Sequence, residues 1–369
     1  MGLGHGVNDS YLGLLAPLLP AIIAEFGLSI TLASALAAVL GVTSSLIQPL
    51  FGPLADRFER RKLAGGAVCV TALGLGSMGL APSYGALLIL LIIGSIGVAA
   101  FHPAGAAVAS LATQGPRRAV VLSLFNAGGT FGYTAGPLAV AFLVSRHGLG
   151  ITWVSILPGL LMGYLLWRLI PPSGAEAKQR RGGWREIPWR RFPPIIVAAT
   201  LRSLAYRSFT YLIPLVLVLR GERLEVGALA VAAFGVGAAL GGILGSELSV
   251  RWGKMAIIYG ALALSPLPLA GVLLASATWA VVLLMALSGL AVGSCWPVMM
   301  LAAQEAAPAQ IGTASSLTIG LSWGSAGLLF VAVGWLADLV GPARALWVAV
   351  AAPWLALAVA ARIPPALAR

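Results

Sequence analysis

Apolar runs of about 20 residues recur from one end of this 369-residue chain to the other. As a helix, each run is long enough to cross the hydrocarbon core of a bilayer. Only 9% of the residues are charged and the mean hydropathy is +0.97, which is far from the composition of a soluble domain. The sequence therefore predicts an all-α polytopic membrane protein.

Charged or Gly/Pro-rich breaks divide the chain into twelve predicted transmembrane helices. Their approximate limits are 3–25, 30–54, 63–81, 84–112, 118–144, 150–170, 194–219, 226–250, 255–275, 278–306, 311–337 and 343–363. The longest break is basic and separates six spans from six. We expect an N-terminal six-helix bundle over residues 1–170, a cytoplasmic basic linker over 171–193 and a C-terminal six-helix bundle over 194–369.

The lysines and arginines are concentrated in every second loop, beginning with residues 57–62 and including the linker. Basic loops stay on the cytoplasmic side of a membrane. We therefore expect a multi-pass protein of the plasma (inner) membrane with both termini in the cytoplasm. The net charge of +12 comes from these flanking bases, so the lipid bilayer is the expected partner and nucleic acid is not.

The two halves resemble each other at an offset near 195 residues. Residues 9–12 (DSYL) match 206–209 (YRSF), and residues 101–103 (FHP) match 295–297 (CWP). Matches at a similar offset indicate a duplicated unit. We expect two pseudo-symmetric bundles of six helices each.

A few ionisable residues lie inside the predicted spans, where they are costly and usually face a cavity or a partner. His5 and Asp9 are four residues apart and so lie on one face of the first helix. Arg202 and Tyr206 have the same spacing on the seventh helix, and His102 lies at a similar depth on the fourth. These positions are our candidates for the functional site.

The loop after the second span reads GPLADRFERR over residues 52–61. Together with twelve spans and the internal duplication, this loop resembles the signature of the major facilitator superfamily, although Glu59 stands where the family usually has glycine. The resemblance implies a cytoplasmic gate. Its residues, with the counterpart in the second half, are Gly52, Asp56, Arg57, Arg60, Arg61 and Arg251.

Two further kinds of sequence pattern make the resemblance more specific. Gly128, Gly132, Gly136 and Pro137 form a pattern similar to the glycine-rich fifth-helix motif associated with antiporters of the superfamily. Residues 4–11 (GHGVNDSY), 17–20 (PLLP) and 101–103 (FHP) resemble fosmidomycin-resistance-type drug exporters. That group typically has an acid after the third stretch, whereas this chain continues with alanine and glycine.

In the superfamily, helices one, four, seven and ten line a central cavity. Our hypothesis is that Asp9, with His102 or His5, carries a proton, while Arg202 holds an anionic group of the substrate or bridges to Asp9. Other readings remain open, because His5 could lie in the headgroup layer, His102 could be a packing device and Arg207 could replace Arg202 as partner of Asp9. The other predicted substrate-binding residues are Tyr206, Tyr11, Asn126 and Trp296.

We predict a secondary active transporter that exports a small drug or metabolite, anionic if Arg202 binds it, by proton-coupled alternating access. A proton-coupled importer of a small organic solute and a non-transporting receptor or scaffold are the alternatives. The chain has no P-loop motif, no clustered nucleophile and base, and no Cys/His set with metal-ligand spacing. We therefore expect no enzyme activity, no cofactor and no metal site, with protons and a small-molecule substrate as partners. The resemblance to the superfamily implies a monomer.

Overall fold

The computed structural model describes residues 1–48, 50–51, 59–111, 117–172, 192–307 and 311–363. Within these ranges, the side chains of residues 106–107, 110–111, 117–124, 126, 311–313 and 315–316 are not described. The described residues form helices and short connections, without a strand among them.

Among the described residues, six helices belong to the first half of the sequence. They are α1 (Gly2–Phe26), α2 (Ile30–Leu46), α3 (Arg60–Gly76), α4 (Tyr84–Leu111), α5 (Arg117–His147) and α6 (Ile156–Leu169). A 3₁₀ turn follows α3 at Met78–Leu80, and a second 3₁₀ segment, Leu149–Ser155, leads into α6.

Six further helices belong to the second half. They are α7 (Phe192–Leu219), α8 (Leu224–Trp252), α9 (Lys254–Leu264 and Pro266–Leu274), α10 (Thr278–Ser294 and Trp296–Ala306), α11 (Ile311–Val340) and α12 (Pro342–Ala360). The breaks in α9 and α10 fall next to prolines, which lack the N–H that the helical ladder needs.

Among the described residues, ten helices are long and apolar enough to cross a membrane. The other two helices fall short for different reasons. Ile30–Leu46 is short, whereas Phe192–Leu219 carries Arg202 and Arg207 along its length, which lowers its mean hydropathy. Most residues of α7 are nevertheless buried, which suits a helix that faces protein more than lipid.

The chain divides into two compact units. Unit 1 comprises Met1–Leu28, Val39–Gln179 and Arg223–Ala228, and unit 2 comprises Ser29–Ala38, Arg180–Glu222 and Leu229–Arg369. Each unit thus includes one short segment from the other half of the sequence. Both segments lie at a helix start, which is the start of α2 for unit 2 and the start of α8 for unit 1.

An acidic side chain connects each of these two short segments to the rest of its unit. In unit 2, the carboxylate of Asp338 on α11 accepts hydrogen bonds from the backbone N–H groups of Ile30 (2.7 Å) and Thr31 (2.9 Å), so it caps the free N–H groups at the start of α2. In unit 1, Ser145 on α5 donates to Glu225 on α8 at 2.6 Å.

Candidate functional site

A stripe of glycines brings α5 into close contact with α1 in unit 1. A side chain at Gly132 would collide with the carbonyl of Gly6, and one at Gly128 would collide with Gly2. One helical turn further on, Gly136 packs directly against Ser10. Small residues four apart allow two helix backbones to approach in this way. The glycine motif therefore sets the distance between α1 and α5.

This close approach positions His5. The ring of His5 stacks on Phe125 of α5, with 4.1 Å between centroids, and its Nδ1 lies 2.8 Å from the Phe125 carbonyl oxygen. Gly129 leaves the space that the ring occupies, because a side chain there would meet His5. His5 is only 6% exposed, so its ring is packed between helices of unit 1.

Asp9 lies between two histidine rings. Its Oδ2 atom is 3.1 Å from Nε2 of His5, one helical turn away on α1, and its Oδ1 atom is 3.4 Å from Nε2 of His102 on α4. The two rings are edge to face, with centroids 5.2 Å apart. The helical spacing predicted the first contact, and the similar depth of His102 suggested the second. We call His5, Asp9 and His102 the acid–histidine cluster.

Both rings of the cluster are oriented by backbone carbonyls. Nδ1 of His102 lies 2.8 Å from the Val98 carbonyl oxygen, as Nδ1 of His5 does from that of Phe125. A carbonyl oxygen can only accept, so each Nδ1 carries a hydrogen and each Nε2 is left to face Asp9. Exposure rises across the cluster, from 8% for the side chain of His5 to 14% for Asp9 and 25% for His102.

A second layer of polar groups holds the carboxylate. The side-chain amide of Asn8 donates to Oδ1 of Asp9 at 3.1 Å, and the hydroxyl of Thr71 on α3 lies 3.0 Å from the amide oxygen of Asn8. An ionised carboxylate can only accept, so the NH₂ group of Asn8 faces Asp9 and its amide oxygen faces the Thr71 hydroxyl, which also lies 3.0 Å from the Ala67 carbonyl. Asn8 and Thr71 are both fully buried. Asn8 lies in the stretch 4–11 but was not predicted as a site residue, and no pattern in the sequence pairs it with Thr71.

The acid–histidine cluster also has the donor set of a metal site. One ligand atom from each of His5, Asp9 and His102 lies within 4.8 Å of the others. Two imidazoles and a carboxylate, with Nδ1–H groups donating to carbonyls, are groups that a transition metal could use. The expectation of no metal site rested on the spacing of ligand residues along the sequence. His102 is too distant in sequence from His5 and Asp9 for that spacing to show a shared site.

In unit 2 the central residue is Arg202 on α7, which is 3% exposed. Its Nε donates to the carbonyl of Val292 on α10 at 2.8 Å. Val292 lies in the last turn of the first segment of α10, which ends at Ser294. This hydrogen bond orients the guanidinium group of Arg202.

Aromatic rings surround this guanidinium. Its Cζ lies 5.3 Å from the ring centroid of Tyr206 and 5.2 Å from that of Trp296, distances at which a cation is attracted to a ring face. Nη1 of Arg202 is buried and has no hydrogen-bond partner among the described residues. Arg202, Tyr206 and Trp296, predicted from the sequence as substrate-binding residues, are therefore brought together in unit 2.

Two residues outside the predicted set extend the same cluster. Trp323 of α11 contacts Tyr206 edge to face at 5.3 Å and Trp296 at 6.1 Å. Arg207, expected from the sequence only as an alternative partner of Asp9, lies 5.8 Å from the Trp323 centroid. We call Arg202, Tyr206, Arg207, Trp296 and Trp323 the arginine–aromatic cluster. No spacing in the sequence points to Trp323, because it reaches α7 only through helix packing.

The remaining predicted substrate-binding residues lie elsewhere. Tyr11 is 2% exposed, and its hydroxyl donates to the carbonyl of Ser155 at the start of α6. Its polar group is therefore engaged in holding α1 to α6. The side chain of Asn126 lies outside the part of the chain that the structure describes.

The predicted gate is described only in part. Gly52, Asp56 and Arg57 lie outside the described residues. Arg60 at the start of α3 is 8% exposed, and its Nε and Nη1 atoms have no hydrogen-bond partner among the described residues. In the second half, Arg251 lies 3.7 Å from Glu247, and both side chains are largely exposed.

Glu59, the residue that departs from the family pattern, is held by its neighbours. Lys62 contacts its Oε2 at 3.0 Å, and Nε of Arg61 donates to Oε1. The hydrogen bond from Lys62, together with that from Arg61, holds the pKa of Glu59 below its ordinary value. The start of α3 therefore carries a local ion-pair network where the family usually has a glycine.

Two curated proteins resemble this chain over most of its length. It is 27% identical over 350 residues to the Fosmidomycin resistance protein of Escherichia coli (strain K12), a match that covers 92% of this chain and 85% of the relative. It is also 27% identical over 368 residues to the Uncharacterized MFS-type transporter YfnC of Bacillus subtilis (strain 168), with 92% and 86% covered. The predicted resemblance to resistance-type exporters is confirmed.

The fold is also that of a solved transporter. A bacterial homologue of the human lysosomal transporter Spinster, in an inward-facing and unoccupied conformation, superposes with a TM-score of 0.78 at 16% identity. The match covers 100% of this chain and 97% of the other. This confirms the predicted fold class, an all-α membrane protein of twelve helices in two six-helix bundles.

The sequence profile of the Major Facilitator Superfamily matches residues 1–330, which is most of the chain. Members of this family are secondary transporters that work by alternating access, so the prediction that the chain is not an enzyme is confirmed. They are multi-pass membrane proteins that bind small-molecule substrates, which agrees with the predicted transport function and not with a receptor or scaffold. The chain therefore belongs to the Major Facilitator Superfamily.

Proposed function

We propose that this transporter couples the export of a small anionic drug or metabolite to protons, with Asp9, His102 and His5 as the proton carrier and Arg202 as the cargo-binding cation. The observation that carries the proposal is the position of Asp9 between two Nε2 atoms, at 3.1 and 3.4 Å. The likeness to a protein named for fosmidomycin resistance supports export.

The proton count of the acid–histidine cluster supports the first role. In a neutral ring whose Nδ1 carries the hydrogen, Nε2 offers only a lone pair, and an ionised carboxylate also only accepts. Each contact between Nε2 and Asp9 is therefore attractive only when a proton lies between the two atoms. With one proton, the site pairs a positive imidazolium with the negative carboxylate, so that proton is held firmly. A second proton would add another positive charge, so it is held less firmly because like charges repel. A site of this kind suits a carrier that loads and releases protons.

The partial exposure of the cluster supports exchange of that proton with water. His102 is the most exposed ring of the three, with a quarter of its side chain accessible, whereas His5 is almost completely buried. We infer that protons enter and leave through His102 and that His5 holds the inner end of the cluster.

Arg202 supports the second role. Its guanidinium is buried, one of its nitrogens has no partner among the described residues, and two aromatic rings flank it. A carboxylate or phosphonate group would satisfy that nitrogen with a charge-assisted hydrogen bond. Tyr206 and Trp296 would contact the apolar part of the cargo, and Tyr11 and Asn126 stay predictions.

We further propose that the bundles 1–170 and 194–369 move against each other about the linker 171–193, and that the gate loop and Arg251 control the cytoplasmic side. Gly128, Gly132, Gly136 and Pro137 would keep α1 and α5 moving as one body, which is a role that an antiporter motif could fill. The loop bases support a plasma membrane location with both termini in the cytoplasm, and the transporter would act as a monomer.

Transport in proteoliposomes tests the proton role, with fosmidomycin as the first cargo. We expect Asp9→Asn to abolish accumulation driven by a pH gradient while exchange of labelled for unlabelled cargo continues, because exchange needs no net proton movement. Glu25→Gln, at an exposed position of the same helix, is the control. Full proton-driven transport by Asp9→Asn would show that the carrier assignment is wrong.

Drug resistance tests the direction of transport. Expression of the chain in a drug-sensitive bacterium should raise the inhibitory concentration of fosmidomycin several-fold if the cargo leaves the cell. The alternative, a proton-coupled importer of a small organic solute, predicts unchanged or increased sensitivity. Unchanged sensitivity to fosmidomycin and to other small anionic drugs would contradict export.

A further inference from the structure

Unit 2 buries two arginines that have no counter-ion among its described residues. Arg202 and Arg207 are 3% and 5% exposed. The described acids of this unit lie at helix ends and are engaged there, in contacts other than with these two arginines: Glu222 with Thr278, Glu247 with Arg251, Glu305 with Lys254, and Asp338 with Ile30 and Thr31. Neither guanidinium therefore has a carboxylate partner among the described residues of unit 2.

An uncompensated buried charge is costly, because the protein must replace the hydration of the ion. Arg207 has hydrogen-bond partners for only some of its N–H groups among the described residues. Nη1 of Arg207 donates to the carbonyl of Ala37 at 3.0 Å, whereas its Nε is buried without a partner among the described residues. A guanidinium has five N–H donors. Arg207, like Arg202, thus retains donors that the described residues leave unused.

The two guanidiniums flank one aromatic pair. Arg202 lies 5.3 Å from the ring of Tyr206, and Arg207 lies 5.8 Å from the ring of Trp323. The two rings contact each other edge to face at 5.3 Å. A continuous series of contacts therefore runs from Arg202 through the two rings to Arg207, and Trp323 is only partly buried.

The helix sets the two charges at different levels. Arg202 and Arg207 are five residues apart on α7, which separates them by about 7.5 Å along the helix axis and by somewhat more than a third of a turn. This spacing applies to the backbone, and the two side chains then contact different rings, Arg202 that of Tyr206 and Arg207 that of Trp323. A molecule with two anionic groups joined by a short apolar or aromatic spacer can satisfy both guanidiniums, with its spacer against Tyr206 and Trp323.

We infer that Arg207 is a second cargo-binding residue and that the cargo class is an organic dianion with its two anionic groups separated by an apolar spacer. The inference rests on the proposed function of Arg202. The bond from Arg207 to Ala37 holds the empty side chain in place, and the second anionic group would take up its free donors.

The test uses a homologous series of α,ω-dicarboxylates, from malonate to suberate, each paired with the monocarboxylate of equal length. Binding to the purified full-length transporter is measured by calorimetry and by the rise in Tm. We expect one length of dicarboxylate to bind at least about tenfold more tightly than its monocarboxylate, because a second hydrogen-bonded ion pair forms. A series in which no dicarboxylate exceeds its monocarboxylate would overturn the inference.

Two variants separate this inference from the proposed function. Arg207→Gln should bind the best dicarboxylate no better than the monocarboxylate, and a cooperative unfolding transition measured without ligand shows that the variant is folded. Arg202→Gln should lose both ligands. Arg344→Gln, at an exposed arginine of the same unit, is the control. Unchanged dicarboxylate binding by Arg207→Gln contradicts the second site, whereas unchanged binding by Arg202→Gln contradicts the proposed function itself.

Discussion

The acid–histidine cluster of unit 1 and the arginine–aromatic cluster of unit 2 are built on corresponding helices. In each unit a residue directly before a proline, His102 on α4 or Trp296 on α10, contacts the ionisable residue of α1 or α7. In each unit a nearby carbonyl, Val98 or Val292, orients one side chain of the pair. The two units share this arrangement of helices but differ in the chemical groups that the helices carry.

The difference lies in how each cluster balances its charge. In unit 1 the carboxylate of Asp9 faces two rings that can take up protons, so the cluster can neutralise itself. In unit 2 the guanidinium of Arg202 faces rings that do not ionise at ordinary pH, and in our proposal the cargo supplies the neutralising anion. A duplicated fold can therefore divide proton handling and cargo binding between its halves.

The largest effect should come from breaking the close approach of α1 and α5. Gly132→Val places side-chain atoms on the Gly6 carbonyl and should destabilise the protein by about 3 kcal/mol or more, since backbone atoms cannot yield. Gly66→Val is the matched control, because the space around Gly66 is open. Thermal unfolding in detergent measures both, and equal Tm values would contradict the packing role of the stripe.

Substitutions at His102 and Trp296, the two residues that precede a proline, should affect proton handling and cargo binding separately. His102→Gln should abolish proton-driven transport and leave cargo affinity unchanged, whereas Trp296→Ala should weaken cargo binding about tenfold through loss of a cation–π contact and apolar area. His147→Gln, at an exposed histidine, is the control. A loss of cargo affinity in His102→Gln would show that the division of labour is wrong.

Thr71→Val should have a smaller effect on the proton site. Without the hydroxyl, the amide of Asn8 loses the contact that turns its NH₂ group towards Asp9, a change of about 1 kcal/mol in the stability of the charged cluster. The pH profile of transport should shift by less than about one unit and return to normal in Thr71→Ser. An unshifted profile with reduced transport would indicate a packing role for Thr71 instead.

The smallest effect is expected at Glu59, outside both clusters. Hydrogen bonds from Lys62 and Arg61 lower the pKa of Glu59 in the folded state, so its contribution to stability is present at neutral pH and is lost as the pH falls through that lowered pKa. Glu59→Gln should lower Tm slightly at neutral pH and not in acid. A difference that grows towards acid pH would contradict this sign.

Much of the fold could be predicted from sequence, because a bilayer imposes its thickness on every span. The predicted limits 84–112 and 311–337 coincide closely with α4 and α11. The site was predictable where helical spacing carries the signal, as for His5 and Asp9. The contacts with the Phe125 and Val292 carbonyls were not, since main-chain acceptors leave no trace in a sequence. Trp323 was also missed, because its role depends on how α11 packs against α7.

The most direct test of the division between the units counts protons and cargo separately on the same purified variants. Proton uptake is followed with a pH indicator as the pH is lowered from about 8 to about 6, where a histidine-containing site loads. Cargo binding is then measured at fixed pH. We predict that Asp9→Asn takes up fewer protons than the wild type and keeps cargo affinity, because the histidines lose the carboxylate that favours their charged form, while Arg202→Gln loses cargo affinity and keeps the proton uptake. Loss of both properties in either variant would contradict the account.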